Sequence, residues 1–445
     1  MKMKKILLLT TFFSVVFSRL LLAQSSGPGE TTAVEADKET LSISLEFRPR
    51  AELRHGYQQL PNDTTQAAFF ISHRGRLNLD YRRKRFLFHT TIQDIRVWGE
   101  EDPRSERGWL QTYEFYVQPS LTDHLSVRIG RQRVQFDDER LFSENDWRQT
   151  GNKHDGVRFI FERPKFETHL LGAFDQTEER IFGTTYYPGF DNYKVLVVDY
   201  LKYKLSEKVT LSSINYTDGY QSLTNPHETD FKVTNGGRVA YSGPVVYLTF
   251  AGYYQWGRIP TGESISAFYL EPEASLTVSK AYTARLGAQV FSGDNNPTDA
   301  VSHAFVAQHG SIHRFNGRMD YTNRTVRTYN HEGIVNPYLI QDYKFSKKYT
   351  LSWESHLLAT QKDLRETEVG TGKALSHVWG FENDFRLRYR PNSFTDVELA
   401  YMFMLPGKTL EYLRQGRGGN SQLVPQFTYL QLTFTPELFS WSRSN

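Results

Sequence analysis

Apolar residues fall on every second position in about eighteen separate segments of this chain, and that period of two constrains its fold more than any other feature. In residues 41–54, Leu41, Ile43, Leu45, Phe47, Ala51 and Leu53 share one face, while Ser42, Ser44, Glu46, Arg48, Arg50, Glu52 and Arg54 share the other. Residues 379–390 repeat the pattern, with Trp379, Phe381, Phe385, Leu387 and Tyr389 opposed to Glu382, Asp384, Arg386, Arg388 and Arg390. A period of two marks a strand with one apolar and one polar side. Charges this dense on the polar side point to an all-β transmembrane barrel, with lipid outside and water inside.

The segments predicted as strands are 41–54, 69–81, 86–97, 111–118, 125–133, 155–161, 166–174, 192–204, 209–216, 230–241, 245–255, 267–278, 282–291, 334–344, 350–360, 379–390, 397–404 and 426–434. Their connectors alternate in length. Short links such as 82–85, 119–124, 162–165 and 391–396 follow even-numbered strands, and long stretches such as 98–110, 134–154, 175–191, 292–333, 361–378 and 405–425 recur between them. An outer-membrane barrel with tight periplasmic turns and long extracellular loops has this asymmetry. A barrel of that size is too wide for side chains to fill, which leaves an aqueous channel.

Residues 1–23 read as a signal peptide. Lys2, Lys4 and Lys5 precede an apolar stretch, and Leu21-Leu22-Ala23 offers a cleavage site. The formal charge of +3 includes Lys2, Lys4, Lys5 and Arg19, so without this leader the 53 basic and 50 acidic residues become 49 and 50, a net of −1. No basic cluster with interleaved aromatics exists, so no nucleic-acid partner is expected. Zero cysteines exclude a disulfide scaffold and thiolate metal sites. The 14% aromatic content suits the two interfacial belts of a barrel in lipid and lipopolysaccharide. Residues 24–40 are expected to form a periplasmic linker too short for a plug domain, 41–434 the barrel, and 435–445 a C-terminal tail. Phe434 is the aromatic expected to mark the last strand for the barrel-insertion machinery.

Closing the barrel brings the polar faces of the last three and first two strands together. Arg48, Arg50, Arg54, Arg74, Arg76, Arg386, Arg388 and Arg390 then face the lumen beside Glu46, Glu52, Asp80, Glu382, Asp384 and Glu398. That sector is cationic by only two charges. Arg128, Arg158 and Arg285 add cations elsewhere on the wall, offset by Glu114, Glu167, Glu271 and Glu273. Guanidiniums in a pore offer bidentate donors to carboxylate or phosphate groups on a passing solute. The competing reading is that they pair across strands and keep the barrel rigid.

The charged loop 134–154 is expected to fold inward and narrow the channel. Its Asp137-Asp138 pair lacks a third ligand at useful spacing and is weak evidence for a metal. The loop 292–333, with His303, His309, His313, Arg314, Arg318, Arg324, Arg327 and His331, reads equally well as a cationic lid or as a solvated surface loop. Its histidines do not reach zinc-site spacing, and neither a metal nor a cofactor is expected. Serines and histidines are scattered without a nucleophile-elbow motif, so no catalytic residues are assigned.

Several short motifs resemble the alginate-export family of outer-membrane porins. They are Gly130-Arg131-Gln132 with Asp138, Arg140, Trp147 and His154-Asp155-Gly156-Val157-Arg158, then Phe291-Ser292-Gly293-Asp294-Asn295-Asn296-Pro297-Thr298-Asp299, His313-Arg314-Phe315-Asn316-Gly317-Arg318-Met319-Asp320-Tyr321, Gly380-Phe381-Glu382-Asn383-Asp384 and Leu405-Pro406-Gly407. The resemblance implies an eighteen-stranded monomeric porin with an arginine-rich constriction favouring anionic polysaccharide. The turn 391–396 is short, without the long periplasmic gate described in alginate exporters, and the lumenal charge is nearly balanced. The expectation is therefore an outer-membrane porin of a Gram-negative bacterium for a polar or anionic solute, sugar acid or polysaccharide. Its alternative is a structural or adhesive barrel with an occluded lumen and partner-binding outer loops.

Overall fold

The computed structural model describes residues 38–444 except 103, 105–109, 177, 185–191, 226, 295–298, 365–373 and 415–417. The signal segment 1–23 and most of the expected linker lie outside these residues.

Eighteen antiparallel strands close into one barrel. They are β1 (Lys38–His55), β2 (Ala68–Arg83), β3 (Phe86–Val97), β4 (Gln111–Pro119), β5 (Leu125–Gln132), β6 (His154–Arg163), β7 (Phe166–Phe174), β8 (Val195–Lys204), β9 (Val209–Gln221), β10 (Thr229–Ser242), β11 (Val246–Arg258), β12 (Ser264–Thr277), β13 (Tyr282–Phe291), β14 (Ile334–Lys344), β15 (Tyr349–Ala359), β16 (Val378–Tyr389), β17 (Thr395–Pro406) and β18 (Gln426–Phe434, resumed as Glu437–Ser444). Every predicted strand is present, and five have the predicted bounds. The period of two carried the assignment because each strand has one face in lipid. Leu53, Leu77, Phe115, Phe250, Leu286 and Leu399 stand exposed on the outside of the wall. Near the short turns, Tyr282 packs on Tyr343 with centroids 4.8 Å apart and Tyr349 on Tyr389 at 4.5 Å, as an interfacial girdle requires.

The closing seam corrects one expectation. The segment 435–445 is not a tail, because Glu437–Ser444 pairs with β1 from Lys38↔Ser444 to Ser44↔Glu437, while the preceding stretch pairs from Phe47↔Phe434 to His55↔Gln426. Likewise β1 begins at Lys38, inside the expected linker. Phe439 pairs with Ile43 but Glu437 with Ser44, so Leu438 is an extra residue in the ladder and the strand bulges there. Past the bulge Phe439 and Trp441 sit opposite Ile43 and Leu41, which keeps the apolar face continuous. Phe434 therefore lies within the last strand rather than at its end.

The interior is divided into two sectors. On β7 to β12 the inward face carries Leu171, Leu196, Val198, Tyr200, Ile214, Tyr216, Tyr253 and Tyr269, all buried. Two loops pack against this apolar arc. The β5–β6 loop supplies Val134, Phe136, Leu141 and Phe142, and the β13–β14 loop supplies Phe305, Ala307, Ile312, Met319, Tyr321 and Val326. The hydrophobic core thus lies inside the barrel, between wall and folded loops. Because 292–333 is buried against the wall, the solvated-surface reading of that loop is excluded for its described residues. The remaining arc, β14 to β18 and β1 to β3, is polar and borders open space.

Candidate functional site: a charged lumen closed by two loops

A cavity of about 690 Å³ runs along the polar arc from the periplasmic turn 392–396 up to Trp147 and His313. Its wall includes eight arginines (48, 140, 285, 314, 318, 386, 388 and 390) and eight carboxylates (Glu46, Glu139, Glu144, Asp146, Glu273, Glu354, Asp396 and Glu398). Formal charge is balanced, yet the two signs are not equally accessible. The side chains of Arg285, Arg314, Arg388 and Arg390 are 36–54% exposed. Of the carboxylates, Asp146 alone exceeds 24%. Acids lie beneath guanidiniums, so a solute in this cavity meets mostly cationic surface.

Nearly all the predicted arginines are paired. Arg48 reaches Asp146 at 3.0 Å and donates to Gln149. Arg50 and Arg54 share Glu52 at 2.8 and 2.6 Å. Arg74 bridges Glu46 and Asp146. Arg285 is 3.7 Å from Asp342. Arg386 contacts Glu354 and Glu398, and Arg388 and Arg390 both hold Asp396. Arg76 donates to Gln93 and lies 3.6 Å over the Tyr113 ring, beside a separate cavity of about 300 Å³. Arg128 donates to Gln118 and Arg158 to His169; neither borders these cavities. Glu382 and Asp384, expected in the open lumen, are fully buried under residues 317–319. Gly317, at φ +82°, passes so close that a Cβ there would stand 2.6 Å from the Glu382 carboxylate.

Above this cavity the β5–β6 loop crosses the barrel, as its paired charges predict. Asp137, Glu139 and Asn145 take positive φ values of 49°, 73° and 51° in its tight turns. Asp137 accepts from Tyr200 and Ser212, and Asp138 contacts Arg140 and Arg238, so the acid pair is occupied in tethering the loop. Arg140 in turn reaches Glu271 at 2.7 Å. Burial raises the Asp146 carboxyl, but the Arg48 and Arg74 guanidiniums outweigh it and hold that group at about 2.

Three loops meet where the cavity ends. Trp147 stacks on His313 from the β13–β14 loop, with centroids 3.8 Å apart, and the Arg50 guanidinium lies 3.7 Å over the Trp147 ring. The Trp147 indole N–H donates to Tyr57 of the β1–β2 loop at 3.2 Å. The Tyr57 hydroxyl donates to Asp320, whose other oxygen meets His313 Nδ1 at 3.0 Å. Trp147 and His313 border both the large cavity and a smaller outer one of about 270 Å³ that contains Arg50, Arg54 and Arg327. The stacked pair is thus the partition between them.

Of this arrangement, Asp146, Glu354, Asp396 and the Trp147–His313 pair were not assigned as site residues from sequence. Glu354 had a signal, since it alternates with Ser352 and His356 against Leu351, Trp353 and Leu357. The stacked pair had none, because 166 positions separate its members and neither lies on a periodic strand.

A family model described as alginate export matches residues 41–421. No curated protein sequence matches the chain. Among solved structures, OccAB1 of Acinetobacter baumannii superposes with a TM-score of 0.64 at 12% identity, over 92% of this chain and 100% of that one. The outer membrane protein OprD of Pseudomonas aeruginosa gives 0.60 at 11%, over 91% and 96%. A BenF-like porin from Pseudomonas fluorescens Pf-5 gives 0.58 at 11%, over 89% and 99%. At such identities the likeness is one of fold.

Proposed function

The chain belongs to the alginate export family and forms a channel-type barrel of the Gram-negative outer membrane; from that premise we propose that it passes a polar, anionic solute, such as a sugar acid or acidic oligosaccharide, by passive diffusion. The observation that supports this reading is the unequal exposure of charge in the 690 Å³ cavity. Arg285, Arg314, Arg388 and Arg390 present guanidinium edges to the water while their partner acids are largely covered. A carboxylate entering from the periplasmic mouth finds bidentate donors already oriented by Asp342, Glu139 and Asp396. Solute selection is then electrostatic, at a constriction set by the two inward loops. The barrel works as a single chain in lipid and lipopolysaccharide, placed there by the barrel-insertion machinery.

Planar-bilayer recording of the refolded mature protein under a salt gradient tests this. Ohmic channels with anion preference are expected. Absence of conductance, or cation preference, would overturn the reading. The partition at Trp147 and His313 favours a second reading, a barrel whose lumen stays closed while its outer loops bind a partner. Silence of both the wild type and a Trp147→Ala variant would select it.

A further inference from the structure

Under the β13–β14 loop, the neighbouring strands β15 and β16 place a compact group of ionisable side chains of which Glu354 alone lines the solute cavity. Glu354 lies opposite Asp384 and His356 opposite Glu382 in the ladder, so the four form a two-by-two patch on the inner wall. All four are at most 2% exposed. Carboxylates directly opposite each other repel, and here they do so out of water.

The neighbouring cations do not resolve this. Arg318 and Arg386 both contact Oε1 of Glu354. Glu382 Oε1 accepts only the Met319 N–H, at 2.7 Å, and Asp384 Oδ2 the Arg318 N–H, at 3.1 Å. Glu382 Oε2, Asp384 Oδ1 and His356 Nε2 have no hydrogen-bond partner. The imidazole is the most informative of these. Asn336 donates through Nδ2 to the Phe315 carbonyl and to Asn316, which turns its own Oδ1 towards His356 Nδ1 at 3.1 Å. His356 Nδ1 must therefore carry the proton, and the Nε2 lone pair points at carboxylate oxygens, with Glu354 Oε2 at 3.9 Å. A histidine whose outer nitrogen donates to a fixed carbonyl while the inner one faces acids has the orientation used by metal ligands.

We propose that Glu354, His356 and Asp384, with Glu382 alongside, bind one divalent transition cation of the zinc class. Their ligating atoms already lie within 4.8 Å of one another, a spread that small side-chain movements close around an ion with bonds of about 2.0–2.2 Å. One imidazole among carboxylates, without a thiolate, suits zinc better than calcium, which takes oxygen alone. The ion would also fasten the lid, since the loop N–H groups of Arg318 and Met319 rest on the same carboxylates. The alternative source of positive charge is protons, one on His356 Nε2 and one shared by Glu382 and Asp384.

Refolded full-length mature protein, stripped with a chelator and dialysed against zinc, distinguishes the two. Wild type should retain one zinc per chain above the His356→Gln and Asp384→Asn variants, and Asn336→Ala should bind about 10- to 100-fold more weakly. Strand content by circular dichroism checks that each variant is folded. Zinc-edge X-ray absorption on the wild type needs no variant and should show one imidazole among oxygen ligands. Failure of wild type to retain zinc, equal retention by folded His356→Gln, or a shell without imidazole would overturn the site.

Discussion

Trp147 and His313 lie face to face with ring centroids 3.8 Å apart and planes inclined by 8°, although they come from different loops. Each loop is anchored separately to the wall, through Asp146 on Arg48 and Arg74 and through His309 on Asp218. The stack is one of several contacts between the two loops, beside Phe142 on His309 and Arg314 on Glu139, and with Arg50 on the indole it divides the inner cavity from the outer one. An aromatic pair contributes about 0.5–1.5 kcal/mol beyond area burial, which is small enough to open on the timescale of loop motion.

Replacing Trp147 by alanine removes the stack, the contact with Arg50 and the hydrogen bond to Tyr57 together. Single-channel conductance should rise, and the open fraction should increase about tenfold for each 1.4 kcal/mol lost. His313→Ala should act in the same direction with a smaller effect, because the Arg50–Trp147 contact survives.

Selectivity should follow exposure rather than the number of arginines. Changing Arg314, Arg388 and Arg390 together to glutamine removes three exposed cations, each worth about 1 kcal/mol at contact in water. Reversal potentials should show the anion preference falling severalfold, and more steeply at low salt. Arg74→Gln, at a buried and paired position, should leave the preference unchanged.

Acid should leave the β5–β6 loop docked until far below neutrality. Asp146 is held at about 2 by Arg48 and Arg74. A depressed carboxylate contributes stability that is fully present above its unfolded value of about 3.9 and is lost as pH falls through the folded value. Channel noise should therefore be unchanged from about pH 7 to about pH 4 as far as this clamp is concerned. Asp146→Asn should raise the noise at neutral pH.

A second anchor lies wholly inside the apolar sector, where Lys232 meets Asp218 at 3.1 Å and neither is accessible. Lys232→Met leaves Asp218 without its main countercharge. Breaking a buried pair on one side costs about 3–5 kcal/mol, so hydrogen exchange in the β13–β14 loop should speed up markedly. The double change Lys232→Met with Asp218→Leu should recover much of that loss.

The strands and their count were legible in the sequence. Lipid on one side and water on the other force the period of two at every strand, and each alternation could be read within a dozen residues. Reading failed at Leu438, where a bulge shifts the alternation by one residue. It also failed on β8, where the inward Leu196 and Val198 give no sign of the loops that cover them.

What the sequence determined by itself was the barrel and the balance of charge on its inner face. Tertiary structure alone decided which charges meet water. The carboxylates of Glu354, Asp396 and Glu398 are covered by the arginines they hold, and Glu382 and Asp384 by a loop that arrives more than sixty residues upstream of them. Period two reports which face a side chain is on. It carries no information about what folds over that face, because such contacts join residues far apart in the chain and leave no local pattern.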